Sequence, residues 1–271
     1  MPGEPDSLER IAASINLLAK FCGKRDLPRL TRRELQAKYR IDRADVMVLF
    51  GGSILAGGDI LAEAVANRVA GKYVIVGGIG HTTAILRREM RRALPAVATA
   101  GRPEAELFAA YLKTQYGLEP DLLECRSTNC GSNITGLLEL LRQNGIPFQS
   151  IILAQDATMQ HRMEAGFRQF APAEVTIINY ATYAASVVCR NGKLVYENTI
   201  RGMWTMKQYI TLLLGEIPRL SDDAAGYGPN GRNFIAHVDI PADVRKAFLE
   251  LQQEYTGLVR RADPRYASKN P

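Results

Sequence analysis

A glycine-rich stretch directly after an apolar run carries the residue types best suited to bind an anion. The apolar run covers residues 73–76, and the stretch that follows contains Gly77, Gly78, Gly80, His81 and Thr82. Glycine has no Cβ, so its backbone lets a phosphate or a carboxylate approach closely. The helix predicted to begin at Thr82 or Thr83 adds unpaired N–H groups and a partial positive charge. The stretch therefore predicts an anionic ligand at the end of a strand.

Small, hydrogen-bonding residues also follow three other predicted strands. They are Gly51, Gly52 and Ser53 after the first strand, Ser127, Thr128, Asn129, Cys130, Gly131, Ser132 and Asn133 after the third, and Gln155, Asp156, Ala157 and Thr158 after the fourth. In a parallel sheet the carboxyl ends of the strands share one edge, and ligands bind there where the strand order reverses. We predict that the four loops meet at one edge and form a single site.

Several polar residues allow both a functional and a structural interpretation. His81 can donate to a phosphate or transfer a proton, because an imidazole titrates near neutrality, or it can cap the helix at Thr82. Glu104 and Glu106 cannot share one helix face, so at most one of them faces a site. Asn129 and Asn133 either form Asx turns or contact a ligand together with Thr128.

Other common chemistries lack their sequence patterns. The histidines His81, His161 and His237 do not have the spacing of zinc ligands. Thr83 stands where a dinucleotide fingerprint needs its third glycine, and only Glu104 could supply the acidic residue that follows. A nucleophile elbow of the type Gly-x-Ser-x-Gly is absent, which disfavours an acyl-transfer hydrolase.

Composition is ordinary for a globular protein. The chain has 271 residues, 46% hydrophobic residues and a formal net charge of +6. Its basic residues are scattered among acids, which favours small anionic ligands over nucleic acid. We predict no signal peptide and no membrane anchor, because the first residues are acidic and no long apolar run is present. The four cysteines are widely spaced, so reduced thiols and a cytoplasmic location are expected.

Strand and helix patterns alternate along the chain. Strands are predicted at 44–50, 73–76, 122–124, 150–154 and 175–179, and helices at 7–21, 32–39, 59–70, 83–92, 104–116, 132–144, 159–170, 203–214 and 241–255. Asn191-Gly192 predicts a hairpin turn between 187–189 and 194–196. This alternation is typical of an α/β fold with a mostly parallel sheet and helices on both faces.

The sequence indicates one domain across 1–271. Its core covers about 44–180, with a helical segment at 1–43 before it. A hairpin, a helix and a lid-like loop are expected within 181–257, and a loose tail at 258–271. Residues 217–239 are rich in Gly, Pro, Asp and Arg and predict a long ordered loop.

Four segments of the chain resemble the YdcF-like family of bacterial α/β proteins, which includes SanA and ElyC. They are Gly77-Gly78-Ile79-Gly80-His81, Ser127-Thr128-Asn129-Cys130-Gly131, Gln155-Asp156-Ala157-Thr158-Met159-Gln160 and residues 217–244. Residues 222–232 and 237–241 are similar to the YdcF branch in particular. The resemblance runs from the N-terminal helix to about Tyr255.

The resemblance implies a Rossmann-like core that binds S-adenosylmethionine, an adenosyl-type ligand, with no established reaction. Gly77, Gly78 and Gly80 would turn their N–H groups to its charged end, and Gly51, Gly52, Gln155 and Thr158 would line the same edge. Thr82, Thr128, Asn129 and Asn133 would hydrogen-bond its polar groups. Glu104 and Asp156 would hold ribose hydroxyls or a positively charged group, and Arg162 would pair with a carboxylate. Residues 222–232 would act as a lid.

The chain departs from the wider family at two positions of this pattern. Thr158 stands where many members have a histidine, and Ser132 stands where they have a glutamate. Arg162 would replace a lost guanidinium. The departures remove the acid–base pair that hydrolytic chemistry in the family would need.

Two alternative functions stay open. One is a hydrolase or phosphoryl-cleaving enzyme in which His81 or Asp156 transfers the proton. The other is a ligand-dependent regulatory module that consumes no substrate. The sequence leaves open the reaction, the second substrate, homo-oligomerisation and the reactivity of Cys130.

Overall fold

The structure, a computed structural model, describes residues 7–258. Its helices are α1 Ser7–Cys22, α2 Arg32–Tyr39, α3 Ala56–Ala66, α4 Thr83–Ala93, α5 Glu104–Tyr116, α6 Cys130–Gln143, α7 Gln160–Phe170, α8 Met206–Leu220 and α9 Ala242–Glu254. Its strands are β1 Ala44–Phe50, β2 Ala70–Val76, β3 Leu122–Glu124, β4 Ser150–Ala154, β5 Thr176–Asn179, β6 Val187–Arg190 and β7 Lys193–Tyr196. The predicted tail at 258–271 lies outside the described residues except for Leu258.

Five parallel strands form the central sheet in the order β3-β2-β1-β4-β5. The strand order reverses between β1 and β4, because the chain first builds outward through β2 and β3 and then returns to the other side of β1. This arrangement confirms the predicted α/β, Rossmann-like fold. The reversal is the place where such sheets bind ligands.

Both faces of the sheet are buried, as its uninterrupted apolar strands predict. Met47 and Leu49 of β1 pack into one core with α3 and α5, and Val46, Val48 and Phe50 pack into another with α6 and α7. Successive side chains of a strand point to opposite faces, so β1 contributes to both cores.

A third core joins the terminal parts of the chain. It is built from α1, α8 and α9, which contact one another, and it includes Trp204 and Tyr209. The β6–β7 hairpin packs on α1. Its turn residues Asn191 and Gly192 both have positive φ, at 52° and 67°, as the predicted tight turn requires.

Some predicted boundaries are wrong, and tertiary contacts explain them. The helix expected at 59–70 ends at Ala66 and β2 begins at Ala70, where it pairs with Ala44 of β1. The helix expected at 203–214 begins at Met206 and continues through Pro218 to Leu220. Its apolar face stays buried at Ile217 and Leu220, so burial of that face outweighs the cost of a proline inside the helix.

None of the helices within residues 7–258 combines the length and the apolar character needed to cross a membrane. Cys22, Cys125, Cys130 and Cys189 form no disulfide within residues 7–258.

Candidate functional site

The loops after β1, β2, β3 and β4 meet at the carboxyl edge of the sheet, as predicted. A carbon atom placed as a Cβ on Gly52 would lie 3.0 Å from Met159 Cε and 3.6 Å from the Thr82 hydroxyl. A Cβ on Gly80 would lie 3.0 Å from the carbonyl oxygen of Thr128. These contacts bring parts of four loops together although they are far apart in sequence.

Glu104, the first residue of α5, places a buried carboxylate between the ends of β1 and β2. Its Oε2 accepts the N–H of Gly52 at 2.5 Å, and its Oε1 accepts the hydroxyls of Thr82 and Thr83 at 3.2 and 2.8 Å. The residue is 4% exposed, and burial raises the pKa of its carboxyl while these hydrogen bonds oppose the rise. Glu106, by contrast, pairs with Arg102 at the surface.

The glycine N–H groups of this edge are already paired within the chain. Besides the bond from Gly52, the Gly51 N–H donates to Val76 O at 2.5 Å and the Gly77 N–H donates to Glu124 O at 2.9 Å. The Gly78 N–H donates to Ser127 Oγ at 3.3 Å, and the Gly80 N–H donates to Thr83 Oγ1 at 2.7 Å. The expectation that these N–H groups are open to an anion is wrong for this structure. Close packing of the loops is the reason for the glycines, since a Cβ on Gly51 would overlap the Glu104 carboxylate.

Gly78 gives a direct test of that packing role. A Cβ there would overlap the carbonyl oxygen of Ser127 and lie 2.8 Å from that of Cys125, and backbone atoms cannot move aside cheaply. We expect Gly78→Ala to lower the free energy of unfolding by about 3 kcal/mol or more. Gly131→Ala is the control, because its Cβ would meet only the Asn129 side chain at 3.3 Å. Urea denaturation of both variants measures the difference, and equal midpoints would contradict the packing role.

Asp156 lies in the loop after β4, two residues beyond the end of the strand, and is 0% exposed. Its Oδ1 accepts the N–H and hydroxyl of Thr158 at 3.0 and 2.7 Å and the Tyr183 hydroxyl at 2.9 Å. Its Oδ2 accepts the indole N–H of Trp204 at 2.9 Å. Burial raises the pKa of the carboxyl, and the four donors oppose that rise. In this conformation Asp156 joins the β4 loop to the segments after β5 and before α8.

Other predicted site residues also hold loops in place. Asn129 caps α6 and forms a reciprocal capping box with Ser132, so α6 begins two residues before the predicted start at 132. Gln155 donates to the carbonyl oxygen of Gly51 at 3.0 Å and so links the loops after β1 and β4. Asn133 is buried in the first turn of α6.

Arg162 is paired with a carboxylate of the protein itself. Its Nε and Nη2 donate to Glu216 of α8 at 2.5 and 3.0 Å, and both side chains are buried. The guanidinium therefore joins α7 to α8. A ligand carboxylate would have to compete with Glu216.

Residues that face solvent at this edge are fewer than the sequence suggested. His81 and Thr128 are exposed, Gly80 and Thr82 are partly exposed, and Ile79 is 44% exposed. Residues 222–232, predicted to act as a lid, bond to the end of α8 instead, as Tyr227 N–H donates to Arg219 O. The residues that follow contact α7: Ala236 N–H donates to Ala165 O, and Gln169 donates to Asn233. The hydrogen bonds described for that segment do not reach the glycine loops.

Several residues of this edge escape sequence reasoning. Met159 borders Gly52, Trp204 and Tyr183 bind Asp156, and Glu216 binds Arg162. In the three hydrogen-bonded pairs, the two residues lie between 27 and 54 positions apart in the sequence. No local pattern marks such contacts.

The fold and this edge define an α/β protein with a Rossmann-like parallel sheet whose loops converge at the reversal of strand order. No protein-family model matches the chain.

Proposed function

We propose that this protein binds an adenosyl-type small molecule through an anionic group of that molecule, with S-adenosylmethionine as the ligand by the family resemblance, at the carboxyl edge of the sheet. The observation that carries the proposal is the convergence of four loops where the strand order reverses. Ligands of open α/β sheets bind at that position.

Helix polarity favours an anion there. The helices α4, α6 and α7 begin in the loops after β2, β3 and β4, and none of the three has an acidic residue in its first turn. No acidic side chain within these first turns offsets the positive ends of α6 and α7, whereas the Glu104 carboxylate already lies at the start of α4. The exposed Thr128 offers a hydroxyl group beside the start of α6.

The buried carboxylates take other roles in this proposal. Glu104 holds the loops after β1 and β2 in place through its hydrogen bonds, and Asp156 does the same for the loop after β4. Both residues therefore support the site from the interior of the protein. Asp156 has no exposed surface with which to reach a substrate. A hydrolytic reaction with Asp156 as the proton-transfer group is therefore not proposed.

A thermal-shift screen of S-adenosylmethionine, ATP and AMP tests the proposal. A ligand at about 100 times its Kd stabilises a protein by about 2.7 kcal/mol, which raises the midpoint by several degrees in a chain of this size. We expect Thr128→Asp to weaken binding about tenfold, because it places a negative charge beside the start of α6, where the anionic group of the ligand (the carboxylate of S-adenosylmethionine or the phosphates of ATP and AMP) would lie. Thr114→Asp makes the same change on an exposed position of α5 and serves as the control.

Two results would reject the proposal. One is the absence of a shift with all three compounds. The other is the same Kd for Thr128→Asp as for the unaltered protein, since a ligand at this edge must sense the added charge.

A further inference from the structure

A second cleft lies at the same edge of the sheet, but beside β4 and β5. It has a volume of about 460 Å³ and lies between the end of α1 with the turn after it and the loops after β4 and β5. Its walls include four alanines and the side chains of Lys20, Lys24, Arg25, Asp26, Tyr183 and Tyr209. The volume is within the range of small-molecule sites.

Positive charge in this cleft exceeds what the protein neutralises. Lys20 is exposed and forms no ion pair among the residues of 7–258. Arg25 donates its Nε–H to the carbonyl oxygen of Ala181 at 2.7 Å, and its guanidinium lies 4.3 Å from the centre of the Tyr180 ring. It forms no ion pair with a carboxylate among residues 7–258. Lys24 is paired with Glu164. The carboxylate of Asp26 is engaged by Asn179, whose backbone N–H and Nδ2 donate to it at 2.6 and 3.0 Å.

Tyr209 supplies a polar group that has no partner. The residue is 1% exposed and borders the cleft, and its hydroxyl makes no hydrogen bond to a described residue. The neighbouring Tyr196 hydroxyl is likewise unpaired but is sealed from solvent, whereas the Tyr209 hydroxyl is not. A buried side chain with an unpaired hydroxyl at the wall of a cleft is suited to donate to a ligand.

The remaining walls are apolar and flat. Four alanines border the cleft, and the rings of Tyr183 and Tyr209 contact each other there, with centroids 6.5 Å apart and an interplanar angle of 51°. We propose that this cleft binds an aromatic phosphate monoester, with the phosphate near Lys20 and the Tyr209 hydroxyl and the ring against the tyrosines and alanines. The proposal is independent of the adenosyl site at the glycine loops.

Isothermal titration with phenyl phosphate tests this inference, with inorganic phosphate as a second probe. We expect phenyl phosphate to bind more tightly than inorganic phosphate, because only it buries a ring. Tyr209→Phe should weaken phenyl phosphate about fivefold without loss of stability, since the hydroxyl it removes has no partner in the protein. Lys20→Glu should weaken it about tenfold.

Matched controls separate a local site from general effects. Tyr196→Phe removes an equally unpaired hydroxyl that does not border the cleft, and Lys246→Glu makes the same charge change on the exposed face of α9. Both controls should keep the affinity of the unaltered protein, as should Thr128→Asp. Equal losses in Tyr209→Phe and Tyr196→Phe, equal losses in the two lysine variants, or an absence of phenyl phosphate binding would overturn the proposal.

Discussion

Asp156→Ala is expected to lower the free energy of unfolding by roughly 3–5 kcal/mol. The carboxylate accepts four hydrogen bonds in a fully buried position, and alanine leaves those donors without partners. The loss should also loosen the segment around Trp204. Urea denaturation measures the first effect.

The chain contains a single tryptophan, so the second effect has a specific signal. The indole of Trp204 donates to Asp156 and is buried, and its fluorescence in the folded state should shift to longer wavelength in Asp156→Ala. Tyr183→Phe is the control, because it removes one donor and leaves the Trp204 bond intact. It should cost about 1 kcal/mol with unchanged emission.

Asp156→Asn gives an intermediate case. The asparagine side chain has one acceptor oxygen, and its NH₂ group takes the place of the other carboxylate oxygen. That NH₂ group would face a hydrogen-bond donor, so one of the four hydrogen bonds is lost. Native stability and native Trp204 emission in Asp156→Ala would contradict the anchoring role assigned to this carboxylate.

Arg162→Met is expected to lower the free energy of unfolding by about 3–5 kcal/mol, because it leaves Glu216 as an unpaired charge in the core between α7 and α8. Glu216 is 0% exposed and the pair is bonded through two nitrogens of the guanidinium. Calorimetry or urea denaturation measures the loss. Arg168→Met, on a more exposed part of the same helix, should cost less than about 1 kcal/mol.

The double variant Arg162→Met with Glu216→Leu decides the cause. Removing both charges removes the unpaired carboxylate, so most of the lost stability should return. If the double variant is as unstable as Arg162→Met alone, side-chain packing and not charge explains the effect.

Strand and helix types were largely predictable because they depend on local patterns. The apolar runs at 44–50, 122–124 and 150–154 match β1, β3 and β4 residue for residue, and the helix at 104–116 matches α5. The boundaries failed where distant contacts decide them, as at Ala70, which begins β2 by pairing with Ala44. The sequence carries no local sign of that pairing.

The candidate site was predictable in its place but not in its hydrogen bonding. Glycines at the ends of β1 and β2 marked the edge correctly, because parallel strands end together. Their purpose was interpreted wrongly, since a sequence cannot show that Glu104, about 50 residues away, supplies an acceptor for Gly52. Asp156 and Arg162 were likewise noticed as polar residues, and only their burial reveals them as connections between segments.

The order of residues alone determined that this chain forms a parallel α/β sheet with polar loops at one edge, because periodicity and glycine placement are properties of neighbouring residues. The three-dimensional fold decided which polar groups are already satisfied and which face solvent. Hydrogen-bond partners and burial depend on segments that are distant along the chain, so Glu104 closes the glycine loops while Lys20 and Tyr209 are left available beside β4 and β5.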